Sequence, residues 1–214
     1  MSDPAPLLDI DLEAGTLRLQ IAYTANSDSK RCPAHACIGW LLEQADPKQR
    51  SDLTSIAIEG DRTLSFTWRR PDLDRSGLAV TVAVIGVVGP CYHRATRRLT
   101  LSQAAGVILA PSPVEGYEGS ARRVLSEVRD LLEPSRRVCA LQWVTNSGRP
   151  ERDPTELFAE LGIPTGVPSF VMDRRSGHGV RGAFEDVVGR VLSAYDEGRW
   201  RPPLTPEELA ELTR

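Results

Sequence analysis

The sequence predicts an α/β domain on a mainly parallel sheet, and three observations carry that expectation. Strand-like and helix-like segments alternate along the chain. Several strand segments are continuous apolar runs, such as Gly106-Val107-Ile108-Leu109-Ala110 and the β-branched stretch at 78–88, a mark of strands covered on both faces. One pair of strands, 63–68 and 78–88, is joined through a turn containing Pro71 and Gly77, which supplies a single antiparallel hairpin at one edge.

The elements follow in order. Residues 1–9, with Pro4 and Pro6, read as a flexible arm, and 10–198 as one domain. Residues 10–12 form a short leading strand, and Ala14-Gly15-Thr16 a turn. The main first strand has Leu17, Leu19, Ile21 and Tyr23 on one face. A polar loop, 24–31, precedes a helix from about Pro33 with Ile38, Leu41 and Leu42 inward; Ala45-Asp46-Pro47 ends it. Strands follow at 53–58 and 63–68, the latter with Leu64, Phe66 and Trp68 on one side, then at 78–88 up to Gly89-Pro90. A short basic helix is expected over 94–100, a buried strand over 106–110, and a helix over 119–132. A strand at 138–144, a short helix at 154–161 capped by Asp153, and a strand at 169–172 come next. A helix over 182–195 places Phe184, Val187, Val188, Val191 and Leu192 inward. The tail, 199–214, holds a short amphipathic helix opened by Thr205 and a capping box with Glu208.

Composition excludes several classes of function. A net charge of -3 over 214 residues, with charges interspersed, gives no field for nucleic acid. No uninterrupted apolar stretch approaches the length of a membrane span, and no basic segment followed by an apolar one opens the chain, so a soluble, cytoplasmic protein is expected. Four cysteines fit a reducing compartment better than a disulfide scaffold.

Strand, polar loop and helix near the N-terminus is the layout of a nucleotide-phosphate loop, G-x-x-x-x-G-K-[ST]. Here Thr24 and Ser29 stand in the glycine places, Lys30 is retained, and Arg31 replaces the hydroxyl that would hold magnesium. The glycines bring bare N–H groups onto phosphate oxygens, and arginine has no acceptor for a metal. Asp28 adds a negative charge where a triphosphate would lie. The loop reads as the remains of a nucleotide site.

Asp61-Arg62-Thr63-Leu64, then Phe66 and Trp68, resembles a segment of the bacterial MglA (mutual gliding protein) family of small GTPases. Gly89, Tyr92, Ala95-Thr96-Arg97-Arg98-Leu99 and Gly106-Val107-Ile108-Leu109 fall in the places of that family's second switch and following strand, in register from about Leu17 to Gly198. The resemblance implies a Ras-like P-loop GTPase fold, with helices on both faces of the sheet. It assigns Arg62 and Thr63 to the first switch, and Lys30, Thr63 and Asn146 to a vestigial nucleotide pocket.

The departures point away from catalysis. Val88-Gly89-Pro90 lacks the glutamine that would orient an attacking water, and Val144-Thr145-Asn146-Ser147-Gly148 lacks the aspartate that would pair with guanine. With phosphate cradle, water positioner and base clamp all altered, the chain is expected to be a pseudo-GTPase without cofactor or catalytic residues. Its surface at Arg62, Tyr92, Arg94, Arg97 and Arg98 would be read by a roadblock-type regulator, an MglA-type GTPase or a polarity and motility scaffold. The alternative is a divergent GTPase holding GTP or GDP with magnesium through Lys30 and Thr63. A weaker one is a metal-binding regulator using Cys32, His35, Cys37, Cys91 and His93, a soft ligand set without standard finger spacing. Gly177-His178-Gly179 falls at the family's last nucleotide-contacting loop, where a flexible turn is the other reading.

Overall fold

The computed structural model describes residues 5–25, 32–58, 61–87, 94–110, 138–145, 166–205 and 207–208. The helices expected at 119–132 and 154–161 lie outside them, as do Lys30, Cys91, Tyr92, His93, Asn146, Leu209 and Leu212.

The described strands are β1 (Asp9–Asp11), β2 (Thr16–Thr24), β3 (Thr54–Ile58), β4 (Asp61–Arg69), β5 (Ala79–Val87), β6 (Gly106–Leu109), β7 (Val138–Thr145) and β8 (Ser169–Asp173). The helices are α1 (Pro33–Gln44), α2 (Arg94–Ser102) and a C-terminal helix, Val180–Asp196, here called α3. The strands form one sheet in the order β3-β4-β5-β2-β6-β7-β8. It is parallel from β5 through β8 and antiparallel across β3, β4 and β5. The expected hairpin is β4–β5, and β3 lies outside it as a further antiparallel strand. β1 pairs antiparallel with the first residues of β2, while β6 pairs with its last four.

Period-2 alternation in β2 works as expected. Leu17, Leu19, Ile21 and Tyr23 are buried in the larger core cluster, together with Ile38 and Leu41 of α1 and Phe184, Val187, Val188, Val191 and Leu192 of α3. Ala22, Leu101, Val107, Leu141 and Trp143 form a second cluster, to which α2 contributes Leu101. Helices therefore pack both faces of the sheet.

Two glycines set how close the helices come. A Cβ on Gly86 of β5 would stand 2.2 Å from Ile38 Cδ1, and one on Gly106 of β6 would stand 2.3 Å from Val187 Cγ1. The missing side chains are the seats of α1 and α3.

The arm expected at residues 1–9 is anchored by its end. Leu7 and Leu8 are buried. Leu8 N–H donates to the Arg201 carbonyl at 2.8 Å, and Arg201 N–H donates to the Pro6 carbonyl at 3.0 Å. Prolines 4 and 6 suggested a loose segment, but the Leu7-Leu8 pair has apolar surface to bury and takes the start of the tail as its backbone partner. The capping box is present: Thr205 N–H and Glu208 N–H are each met by the other residue's side chain, at 2.8 and 3.3 Å.

Candidate functional site

In an open α/β sheet a ligand crevice forms beyond the carboxyl ends of the strands, where the chain reverses its direction of travel across the sheet. Here the chain leaves β2 for β3, β4 and β5 on one side and returns to β6 on the other, so the reversal lies at β2. The same end of the sheet carries Thr24-Ala25 after β2, the start of α1, Val87, Leu109-Ala110, Thr145 and the loop after β8. Ala110 N–H donates to the Thr24 carbonyl and Arg174 N–H to the Thr145 carbonyl, each at 2.8 Å, which ties adjacent strand ends together.

Thr63 belongs to this end as well. Leu64, Gly86 and Tyr23 lie in one row across β4, β5 and β2, so Thr63 is level with Thr24, two strand spacings or about 10 Å away. It is half-buried and paired with Ile56 of β3. Arg62 pairs with Ala57 in the same hairpin.

α1 begins at Pro33, three positions after Lys30. Its N-cap is Cys32, whose side chain makes no cap hydrogen bond and is buried. The first helical position therefore has no N–H, and the lysine lies outside the helix. A phosphate-binding helix start needs the opposite: free N–H groups and a hydroxyl within its first turn.

Trp40 of α1 joins that helix to the loop after β8. Its Nε1–H donates to the Arg174 carbonyl at 3.0 Å, and its ring covers the place where a Cβ of Gly177 would be, 2.3 Å away. Gly179, with φ +85°, has the Val171 carbonyl oxygen 2.1 Å from its own Cβ position, so only glycine fits there. Asp173 Oδ1 accepts from Arg175 N–H at 2.9 Å and Oδ2 from Ser176 Oγ at 2.8 Å. The Arg175 N–H, ahead of Ser176, holds the Asp173 carboxyl below its ordinary range. The Gly177-His178-Gly179 segment is thus a turn held by these contacts.

Beneath the crevice lie the buried sulfur side chains of Cys32, Cys37 and Met172. Cys37 Sγ–H points at Met172 Sδ, 3.5 Å away, and burial pushes the Cys37 thiol far up, with Cys32 adding to the effect. Such a thiol is poor as nucleophile or metal ligand. Tyr23 is fully buried, its hydroxyl has no hydrogen-bond partner among the described residues, and burial raises its pKa first, with smaller contributions from Cys37 and Glu185. Of the metal candidates, Cys32 and Cys37 are buried and His35 is half-buried. Among the described residues no three His, Cys, Asp or Glu side chains are placed to hold a metal.

Arg97 departs from the partner-facing surface expected of it. It is only 2% exposed, inside the α2 face, while Arg98 is half-buried; Arg94 opens the helix. The resemblance that put Arg94, Arg97 and Arg98 together could not show that one of them turns inward.

Sequence reasoning also missed a polar cluster on the far side of the hairpin. Arg70, 4% exposed, lies 4.8 Å over the Trp68 ring and meets Asp72 and Glu185, while Trp68 stacks on Phe184 at 5.5 Å. Arg181 approaches the same tryptophan at 5.5 Å and pairs with Glu185. Arg70 is adjacent to Pro71 at a turn, and nothing local marked it for burial; one of its partners, Glu185, comes from a helix 115 residues away.

A cleft of about 460 Å³ lies at the opposite end of the sheet, between Ile10, Leu12, Ser76, Tyr195 and Trp200. No helix among the described residues is long and apolar enough to cross a membrane. No protein-family model matches the chain, and no curated protein matches it either.

Proposed function

We propose that this chain is a non-catalytic interaction module on a small-GTPase-like frame, of the kind its resemblance to the MglA family suggests. The strand order supports the frame: an antiparallel β4 beside parallel β5, β2, β6, β7 and β8, with the crevice loop leaving β2. One observation carries the loss of catalysis. α1 starts at Pro33 behind a buried Cys32, so Lys30 precedes the helix and no hydroxyl follows it for a metal. Val88-Gly89-Pro90 and Asn146-Ser147-Gly148 point the same way, lacking the water-orienting glutamine and the base-reading aspartate.

The function is then recognition. A roadblock-type regulator or an MglA-type GTPase, in motility or cell-polarity signalling, is the partner class that the resemblance favours. The surface that the resemblance assigns to it lies at Arg62 on β4 and along α2 at Arg94 and Arg98. A second reading, a divergent GTPase, draws on Thr63, which stands level with the end of β2 as a magnesium-facing threonine would.

Purified protein, denatured and run on ion exchange, decides between them. Release of no guanine nucleotide, with no stoichiometric zinc in a parallel metal assay, is the expected result. Stoichiometric GDP or GTP that disappears in Lys30→Ala would overturn the proposal in favour of the second reading.

A further inference from the structure

Among the described residues the two ends of the sheet are β3 and β8, and they are treated differently. An edge strand presents backbone N–H and C=O groups at alternate residues to any strand that approaches, and natural edges are blunted by charge, proline, a bulge or cover. β8 is blunted. Pro168 precedes it, Asp173 ends it, Arg174 and Arg175 follow, and Met172 is buried while Phe170 packs on the core and against Gly182. Among the described residues β3 has none of these devices along its own length, and the nearest charge is Glu59 after its last residue. Thr54-Ser55-Ile56-Ala57-Ile58 contains no charge and no proline, and its register with β4 runs without a bulge.

Exposure extends to both faces of β3. Thr54, Ser55 and Ile56 are all exposed, although successive residues of a strand point to opposite sides, and Ile56 is 53% exposed. The strand therefore projects past the core as part of a ribbon with β4, and its neighbour Leu53 is also exposed. The free main-chain edge calls for an extended strand as partner.

We infer that the partner is a second copy of this chain, pairing β3 with β3 in antiparallel fashion about a two-fold axis at Ile56. In that register Ile56 faces its own copy, Thr54 faces Ile58, and Ser55 faces Ala57. Every pair matches β-branched with β-branched or small with small, which is what cross-strand packing favours, and no charges are opposed. An uncharged strand gives a different protein little to select by, whereas it is complementary to itself. The closed two-fold arrangement uses up both free edges and joins the two sheets into one. The inference is independent of whether the crevice holds nucleotide.

The test is sedimentation of the full chain over a wide range of concentration. Wild type is expected to show a monomer–dimer equilibrium. Ile56→Lys places two ammonium groups face to face across the axis and should weaken dimerisation by about tenfold or more. Its far-ultraviolet circular dichroism should be unchanged, because Ile56 contributes little to the core. Ile56→Glu should behave in the same way, and mixing the Lys and Glu variants should restore a dimer. Leu99→Lys, an exposed apolar site on α2, should leave association unaltered. A wild type that is monomeric throughout, a dimer indifferent to Ile56→Lys, or no recovery on mixing the Lys and Glu variants would each overturn the proposal.

Discussion

Gly106 offers the sharpest test of how α3 is seated on the sheet. An alanine Cβ there would lie 2.3 Å from Val187 Cγ1 and 3.1 Å from Ile21 Cδ1. The first distance is more than about 1 Å short of an ordinary carbon contact of roughly 3.5–4.0 Å. Val187 cannot turn aside easily, because a β-branched side chain in a helix has one strongly preferred rotamer. The helix must back away from β6, an overpacking that costs about 1–3 kcal/mol. Alanine recovers about 0.5–1 kcal/mol because it loses less backbone freedom than glycine on folding. Gly106→Ala should therefore destabilise by about 1–2 kcal/mol, lowering Tm by roughly 2–4 °C for each kcal/mol in a chain of this size.

The cause is separable from a general intolerance of the site by a double-mutant cycle. Val187→Ala alone opens space in the core and should cost about 2 kcal/mol. Combined with Gly106→Ala, it removes the clashing methyl groups, and the pair should be more stable than the sum of the single effects by about 1–2 kcal/mol. Urea unfolding followed by tryptophan fluorescence measures each corner of the cycle. Additivity to within about 0.5 kcal/mol would refute the reasoning, since it would mean that the two groups do not meet. Gly86→Ala is the comparison. Its Cβ meets only the free end of Ile38 at 2.2 Å, with the next atoms at 3.6 and 3.7 Å, so rotation of that side chain should make it the milder substitution.

Three further outcomes follow from the buried polar groups. Tyr23→Phe removes a buried hydroxyl that has no hydrogen-bond partner among the described residues, so stability should stay level or rise by up to about 1 kcal/mol in urea melts; a clear loss would mean that the hydroxyl is bonded after all. Arg70→Met should cost about 2 kcal/mol by the same assay, combining the cation over Trp68 with two ion pairs discounted for their partly exposed carboxylates, and an unchanged midpoint would dismiss the cluster as decoration. The hydrogen bond from Arg70 lowers the Asp72 pKa below its ordinary value of 3.8, so the stability it gives is full above that value and is lost as pH falls through the folded pKa. The urea midpoint of wild type should therefore drop more steeply below about pH 4 than that of Asp72→Asn, and parallel curves would remove Asp72 from the account.

The legible part of this protein was whatever a local pattern can encode. Leu17, Leu19, Ile21 and Tyr23 announce the inner face of β2, and Phe184, Val187, Val188, Val191 and Leu192 that of α3, because periods of 2 and 3.6 residues follow from backbone geometry alone. The Thr205–Glu208 capping box was readable for the same reason, its partners being three residues apart.

What local pattern cannot encode is which distant group a residue will meet. Arg97 and Arg70 look in sequence like any other surface arginine, yet both are buried, and Arg70 is so because Trp68 and Glu185 provide a face and a counter-charge there. Pro33 announced the helix, but that Cys32 before it would turn inward was settled by the space beneath the crevice. Gly106 became a seat for α3 only when Val187 arrived against it, and β3 became an open edge only when the order of the sheet left it outermost. Sequence determined the elements and their inner faces, since those depend on near neighbours; tertiary packing decided which charges lost water and which edge kept it, since those depend on groups far along the chain.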